Sequence, residues 1–438
     1  MNRTFNHYPI SQQMNEIIGR LGFKKPTEIQ HEVIPQAFQK RNIIGQSQTG
    51  TGKTHAYLIP MFDQIDSEQE TVQKLIIAPT RELAMQIYEE IKKMIEYGNE
   101  MNWTARLVIG GTDKNRELQK MKTQPHIVVG TPGRILDFMK EQAIRTANID
   151  SVVLDEADLT IDLGLIHEVD QILYRLKEDI QISVFSATIP TSLKPFLKKY
   201  LSNPLHIEID QESLSPEKLE HRLIPLRHRN EADLLIEASK LIHPYIALVF
   251  VNKKENADEL ANELLSKGFE VGVIHGGLKP RERKRTLQDL KSLRFQYIVA
   301  TDLAARGIDI PGVSHVFNAQ LPQDIDAYIH RVGRTARAGL EGTAVSFYAD
   351  RDIPLIEKLE ERGMSFTNMD IKNGEWVEVK EWNERKKRQR KESELDAQAW
   401  KQVRKRKKVK PGYKKKMKSE KDQIKKRLKK EQFRNKRR

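Results

Sequence analysis

The 438-residue chain contains no cysteine, which excludes disulfides and thiolate metal sites and is compatible with a reducing compartment. No apolar run approaches the ~18–20 residues of a membrane-spanning helix. The opening segment MNRTFNHYPISQQ lacks the apolar stretch of a secretory signal. A soluble, cytoplasmic protein with no membrane partner is therefore expected. Negative charge is scarce in one region only: residues 385–438 hold 27 Lys+Arg against 6 Asp+Glu, while the whole chain carries +14. The basic character is thus confined to a tail on a mildly acidic body. Such a tail attracts polyanions through counterion release, although a purely solubilising tail would have the same composition.

The length suggests two domains with appendages. Short β-rich apolar runs alternate with helix-compatible segments in two series, the signature of parallel sheets in an α/β fold. The first series comprises residues 42–44, 75–78, 106–109, 127–129, 152–154 and 183–185. The second comprises residues 247–251, 271–274, 297–300, 315–317 and 344–347. Between them the polar, non-periodic stretch Ile209-Asp210-Gln211-Glu212-Ser213-Leu214-Ser215-Pro216-Glu217 reads as a linker. The expected organisation is a domain over 1–207, a linker over 208–219, a second domain over 220–384 and the basic tail over 385–438. The tail repels itself and has few apolar residues, so it is expected to be disordered, with helix near 395–404 and 420–433 on anion binding.

The run ending at Ile44 leads into Ser47-Gln48-Thr49-Gly50-Thr51-Gly52-Lys53-Thr54 and then a helix-compatible segment. Glycines let backbone N–H groups curl around phosphate oxygens, and a helix N-terminus adds its dipole. Lys53 is expected to reach the β- and γ-phosphates of ATP, with the Thr54 hydroxyl on Mg²⁺. Ser47 replaces the first glycine of the general pattern and is small enough for that place. The run 152–154 ends in Asp155-Glu156-Ala157-Asp158. An acid at a buried strand's C-terminal tip can hold Mg²⁺, and its neighbour can polarise the attacking water. Asp155 takes the metal role and Glu156 that of general base. Downstream, His330-Arg331-Val332-Gly333-Arg334-Thr335-Ala336-Arg337 supplies cations, either as a generic basic patch or as charge for a phosphoryl group.

Taken in order, these motifs resemble those of the DEAD-box RNA helicases over about residues 5–350. The segment Gly110-Gly111-Thr112-Asp113-Lys114, the Asp158-Leu159-Thr160 run and the Lys-rich tail are most similar to a bacterial cold-shock branch. The resemblance implies two tandem RecA-like parallel-sheet domains. It implies an RNA-dependent ATPase that unwinds or remodels short RNA duplexes, with ATP and Mg²⁺ as cofactors and largely sequence-independent contact to RNA. Ribosome assembly, mRNA decay and cold-stress RNA metabolism are the settings it suggests.

Residue by residue, Phe5 and the segment Gly22–Gln30 resemble the family's adenine-sensing motif. Phe23 would stack on the base and Gln30 pair with its edge; on residue type alone Phe23 is equally a core aromatic. Thr80, Arg81, Gly110, Gly111, Thr131, Pro132, Gly133 and Arg134 resemble RNA-backbone contacts, and Ser186-Ala187-Thr188 a segment coupling ATP state to RNA grip. In the second domain Asp309 would touch the ribose, and Thr301 and Arg306 would serve RNA or the contact between domains. Arg334 and Arg337 would reach the γ-phosphate, whose spread negative charge suits planar guanidinium donors. Pro280 departs from the family, which usually has Gln there, and proline offers neither an amide side chain nor a backbone N–H. An ATP-gated clamp that grips RNA without unwinding it fits the same motifs equally well. A DNA-directed translocase is a second alternative, against which the Phe23/Gln30 segment and the acidic tetrad argue, and a third is that the tail does most of the work as an annealing module.

Overall fold

The computed structural model describes residues 4–48, 50–111, 113–209, 219–242, 244–292, 294–302, 310, 312–335, 341–380 and 421–428. Thr49, Arg306, Asp309 and Arg337, most of the expected linker, and all of the expected tail except 421–428 lie outside them. Residues 421–428 are helical, within the stretch read as helix-capable. A first compact unit ends at Thr367 and a second begins at Asn368.

The first unit contains two parallel sheets. One has strands β1 (Ile43–Gln46), β2 (Lys74–Ile77), β3 (Ala105–Val108), β4 (Ile127–Gly130), β5 (Ser151–Leu154), β6 (Gln181–Ser186) and β7 (Leu205–Glu208), in the order β3-β4-β2-β5-β6-β1-β7. Every pairing is parallel. Its central strands are buried along their whole length. Helices cover both faces of such sheets, so runs like Leu75-Ile76-Ile77 are apolar throughout and do not alternate. The second sheet has β8 (Leu219–Pro225), β9 (Ile246–Val251), β10 (Val271–Ile274), β11 (Tyr297–Thr301), β12 (Val313–Asn318) and β13 (Gly342–Tyr348), running β10-β11-β9-β12-β13-β8. These pairings are parallel too. Strands β7 and β8 were not among the sequence-predicted runs. Asn373-Gly374 turns a short antiparallel hairpin, Thr367–Lys372 with Glu375–Glu378.

Register decides where chemistry gathers. Val184 of β6 is level with Ile44 of β1 on one side and Leu154 of β5 on the other. The C-terminal ends of these three strands therefore lie within two residues of one another, β5 ending level with Val184 and β1 and β6 together at Gln46 and Ser186, and ligands of open parallel sheets bind outside such ends. The helices that follow, α3 (Lys53–Asp63) after β1 and α7 (Ala157–Asp162) after β5, start beside one another. The N-cap of α3 is Gly52, at φ +96, where an added Cβ would lie 2.7 Å from Gln30 Nε2 and 2.8 Å from Thr27 Oγ1. Only glycine fits that left-handed, crowded turn.

Candidate active site

Lys53 is buried, and its Nζ donates to the Ser47 carbonyl at 2.5 Å. The loop is knit further by the Ser47 and Thr51 hydroxyls, 2.8 Å apart, and by Thr51 Oγ1 donating to the Gln48 carbonyl. Gln30 is buried as well. Its Oε1 accepts from Thr27 N at 3.0 Å and its Nε2 donates to the Gly52 carbonyl at 3.1 Å. The amide thus fastens the segment before it to the loop, with one hydrogen and one lone pair to spare. Phe23 is half-buried in a turn ahead of α2 (Glu28–Phe38).

Across the rung, Asp155 accepts from the Tyr57 hydroxyl at 2.8 Å and from Glu156 N at 2.9 Å. Burial raises its pKa, against the pull of Lys53. Burial lowers that of Lys53, against the attraction of Asp155, Glu156 and Asp158. Glu156 sits at φ +47, the left-handed region, at the N-cap of α7. A non-glycine residue there is strained by ~1–3 kcal/mol, a cost typical of functional sites. Its Oε2 is buried without a hydrogen-bond partner, and burial pushes its pKa up to about 7 against the pull of Arg334. An unsatisfied buried carboxylate oxygen is expensive; beside Lys53 it belongs to a site built for a polar ligand.

Asp158 faces the other way. It accepts from Thr188 N and Thr188 Oγ1, both at 3.1 Å, while its own N–H donates to Ser186 Oγ. His330 Nε2, on α13 (Ile325–Val332), lies 3.6 Å from Asp158 Oδ2. Burial drives the Asp158 pKa upward, but His330 and Lys53 prevail and hold it low. A second ion pair joins the halves of this unit: Arg283 of α12 (Pro280–Lys291) meets Glu82 of α4 (Arg81–Tyr97) at 2.8 Å. Pro280 opens α12, a first-turn position where a missing N–H has no helical partner to lose.

The residues read as RNA contacts in the first domain converge. A groove of about 340 Å³ is lined by Arg81, Gly110, Gly111, Thr131, Pro132, Gly133 and Arg134, with Pro79, Asp137 and Leu165. Arg81 lies over Gly110 and Gly111, whose missing Cβ atoms leave room for its guanidinium. Thr80 caps α4 by accepting from Leu83 N. Arg134 donates to the Ile109 carbonyl at 3.2 Å. Ser186 is fully buried at the end of β6, and Ala187 links it to Thr188. In the second half Thr301 is buried at the end of β11, and Arg334 is buried with Nε donating to the His330 carbonyl.

Three participants escaped the sequence reading. Tyr57 carried no motif signal. Asp158 was visible within the acidic tetrad, but its partners are remote in sequence. Arg331 looked like its neighbour Arg334, yet it is 1% exposed and binds Asp302, Asn252, Asn318 and the Gln320 carbonyl. Among the described residues no group of three His, Cys, Asp or Glu could hold a metal alone, and no helix is long and apolar enough to cross a membrane.

Residues 27–196 match the DEAD/DEAH box helicase family, and residues 230–339 match the helicase conserved C-terminal domain. The DEAD-box ATP-dependent RNA helicase CshB of Bacillus subtilis (strain 168) is 48% identical over 98% of both chains. CshB of Staphylococcus aureus (strain NCTC 8325 / PS 47) is 43% identical over 90% of this chain and 88% of its own. Among solved structures, S. cerevisiae Dbp5 bound to RNA and ADP BeF3 is 31% identical with a TM-score of 0.74, covering 84% of this chain and 95% of that one.

Proposed function

The chain belongs to the DEAD-box ATP-dependent RNA helicases, and from that premise we propose that its paired RecA-like lobes hydrolyse ATP when RNA is bound and so open short duplexes locally. One observation carries the reading. Lys53 and Asp155 are buried on the first lobe next to Glu156, whose Oε2 is itself buried, and the charge of Arg334 from the second lobe pulls on the Glu156 carboxylate against its burial.

The roles follow from the chemistry. The backbone of the loop Ser47–Gly52 cradles phosphates, and Lys53 neutralises their charge. Thr54 and Asp155 fit as the protein's share of a magnesium site, because this ion is usually held by one or two carboxylates plus substrate phosphates. When bound, magnesium would neutralise charge developing on the phosphate oxygens. Glu156 orients and deprotonates the attacking water; its open Oε2 is the acceptor for that proton. Arg334 stabilises the transferring phosphoryl group, and Arg337 shares that task by family likeness, as Asp309 serves the ribose. Phe23 stacks on the adenine, and Gln30 reads its edge with its remaining donor and acceptor.

RNA lies along the groove of Arg81, Gly110, Gly111 and Thr131–Arg134, held mainly by phosphate and sugar and therefore with little sequence preference. Thr80, Thr301 and Arg306 extend that path. Thr188 and Ser186, tied to Asp158 and through it to His330, carry the state of the nucleotide site to the RNA grip. The basic tail adds salt-sensitive affinity. A cytoplasmic role in cold-stress RNA metabolism, ribosome assembly or RNA decay accords with this activity.

The test is the ATPase rate without nucleic acid, with single-stranded RNA and with matched DNA. Stimulation by RNA alone, falling ~10²–10⁴-fold in Glu156→Gln as expected for loss of a general base, supports the reading. Equal stimulation by DNA would replace it with a translocase. ATP turnover without separation of short duplexes would replace it with a clamp.

A further inference from the structure

His55 lies on the first turn of α3 and has no part in the chemistry above. Its imidazole packs edge-on against the Phe23 ring, with centroids 4.7 Å apart and planes at 78°. This is the T-shaped arrangement that aromatic quadrupoles favour. His55 Nε2 lies 3.5 Å from Glu90 Oε2 on α4 and makes no hydrogen bond, and the side chain is 11% exposed. The imidazole is thus lodged between α4 and the Phe23 turn. Gln30 needs no such support, because its amide is fastened to Thr27 and Gly52. Phe23 has less: its N–H donates to the Ile18 carbonyl and its ring packs half-buried against the core, but it lies outside any helix or strand and the residue before it, Gly22, is exposed at φ +82.

We propose that His55 is a positioning residue for Phe23, holding the ring as a fixed stacking platform and thereby setting affinity and selectivity for adenine nucleotides. The inference rests on Phe23 being the base-stacking ring. Selectivity enters because Gln30 can read a base edge only if the base is presented in one plane, and the Phe23 face sets that plane. A freely rotating ring would have to be ordered anew at each binding event, which weakens the nucleotide complex.

The experiment compares KM and kcat for ATP and GTP at saturating RNA, using the full chain. The variants are His55→Ala, His55→Leu, His55→Phe, Phe23→Ala and the Phe23→Ala/His55→Ala double substitution. His55→Ala is expected to raise KM for ATP about three- to tenfold, the worth of one edge-to-face contact. It should narrow the ATP/GTP preference and leave kcat within about twofold. Leucine, which fills the space without an aromatic edge, should behave like alanine, and phenylalanine should restore most of the affinity. In the Phe23→Ala background the His55 substitution should add nothing, since a residue acting through Phe23 has no effect without it. An unchanged KM in His55→Ala beside a raised KM in Phe23→Ala overturns the proposal and leaves the stacking role intact, as would additive effects in the double variant. An unchanged KM in Phe23→Ala overturns the stacking role and the proposal with it.

Discussion

Arg331 grips Asp302 at two points, Nε to Oδ1 at 2.5 Å and Nη2 to Oδ2 at 2.7 Å, from a position only 1% exposed to solvent. The same guanidinium donates to Asn252, Asn318 and the Gln320 carbonyl and lies over the Phe250 ring at 5.2 Å. It therefore joins the C-terminal ends of β9, β11 and β12. Asp302 keeps 31% of its side-chain surface in solvent, so removing Arg331 leaves a carboxylate that water partly compensates, and the cost falls below the full buried-pair penalty, at ~2–4 kcal/mol. Arg331→Ala should lower the unfolding free energy by about that amount in urea titration, and Arg331→Lys by less, because lysine keeps the charge but loses the fork. A loss under about 1 kcal/mol in Arg331→Ala would show that the network is ornamental.

Thr188→Ala deletes one of two bonds to Asp158 while leaving Lys53, Asp155 and Glu156 in place. RNA-stimulated ATP turnover should stay within about threefold of the parent, and separation of short duplexes should fall more than about tenfold, the split expected when coupling rather than chemistry is impaired. Equal losses in both assays would place Thr188 in the hydrolytic step instead.

The pH dependence of stability should carry the mark of His221. Burial lowers its pKa to about 4, and its Nδ1 pairs with the Tyr328 hydroxyl at 3.0 Å. Above pH ~6.5 neither folded nor unfolded chain protonates this group. As pH falls from there to about 4, only the unfolded chain takes up the proton, so stability is lost across that window and no further below it. The contribution is of order 3 kcal/mol. His221→Asn, compared with the parent by denaturant titration at pH 7.5, 6, 5 and 4.5, is expected to flatten the curve by that share. Parallel curves would refute it.

Deleting residues 385–438 removes 27 Lys+Arg and 6 Asp+Glu. RNA affinity should drop about tenfold or more at low salt. The slope of log K against log salt should become shallower by ~0.7 for each phosphate that the tail neutralises in the parent. RNA-free ATP turnover should be unchanged. An unaltered slope would mean that the segment does not touch RNA.

Much of this architecture was legible because central parallel strands are buried on both faces and so read as unbroken apolar runs. Strands β7, Leu205-His206-Ile207-Glu208, and β8 were missed for the same reason: their mixed polar and apolar residues follow their partly exposed burial patterns. The phosphate loop and the acidic tetrad were legible because their spacing is local. Their supports were not, since Tyr57 and Asp155 are 98 residues apart and Thr188 and Asp158 are 30 apart. Arg331 and Arg334 have identical chemistry in sequence; only the fold turns one into the tie among strand ends and buries the other against the His330 carbonyl.

The common rung shared by Ile44, Val184 and Leu154 also gives the two edges of this sheet unequal freedom to vary. Extra residues ahead of Ile43, Ser151 or Gln181 fall on the edge away from the candidate active site and can bulge outward as surface loops. One extra residue after Gln46, Leu154 or Ser186 would shift a reacting group by up to ~3.3 Å, the rise of one strand residue, which is more than a hydrogen bond can absorb. Drift in length among relatives should therefore gather on one side of the sheet, and a library of single-residue insertions would sort into tolerated and inactive variants by sheet edge rather than by solvent exposure.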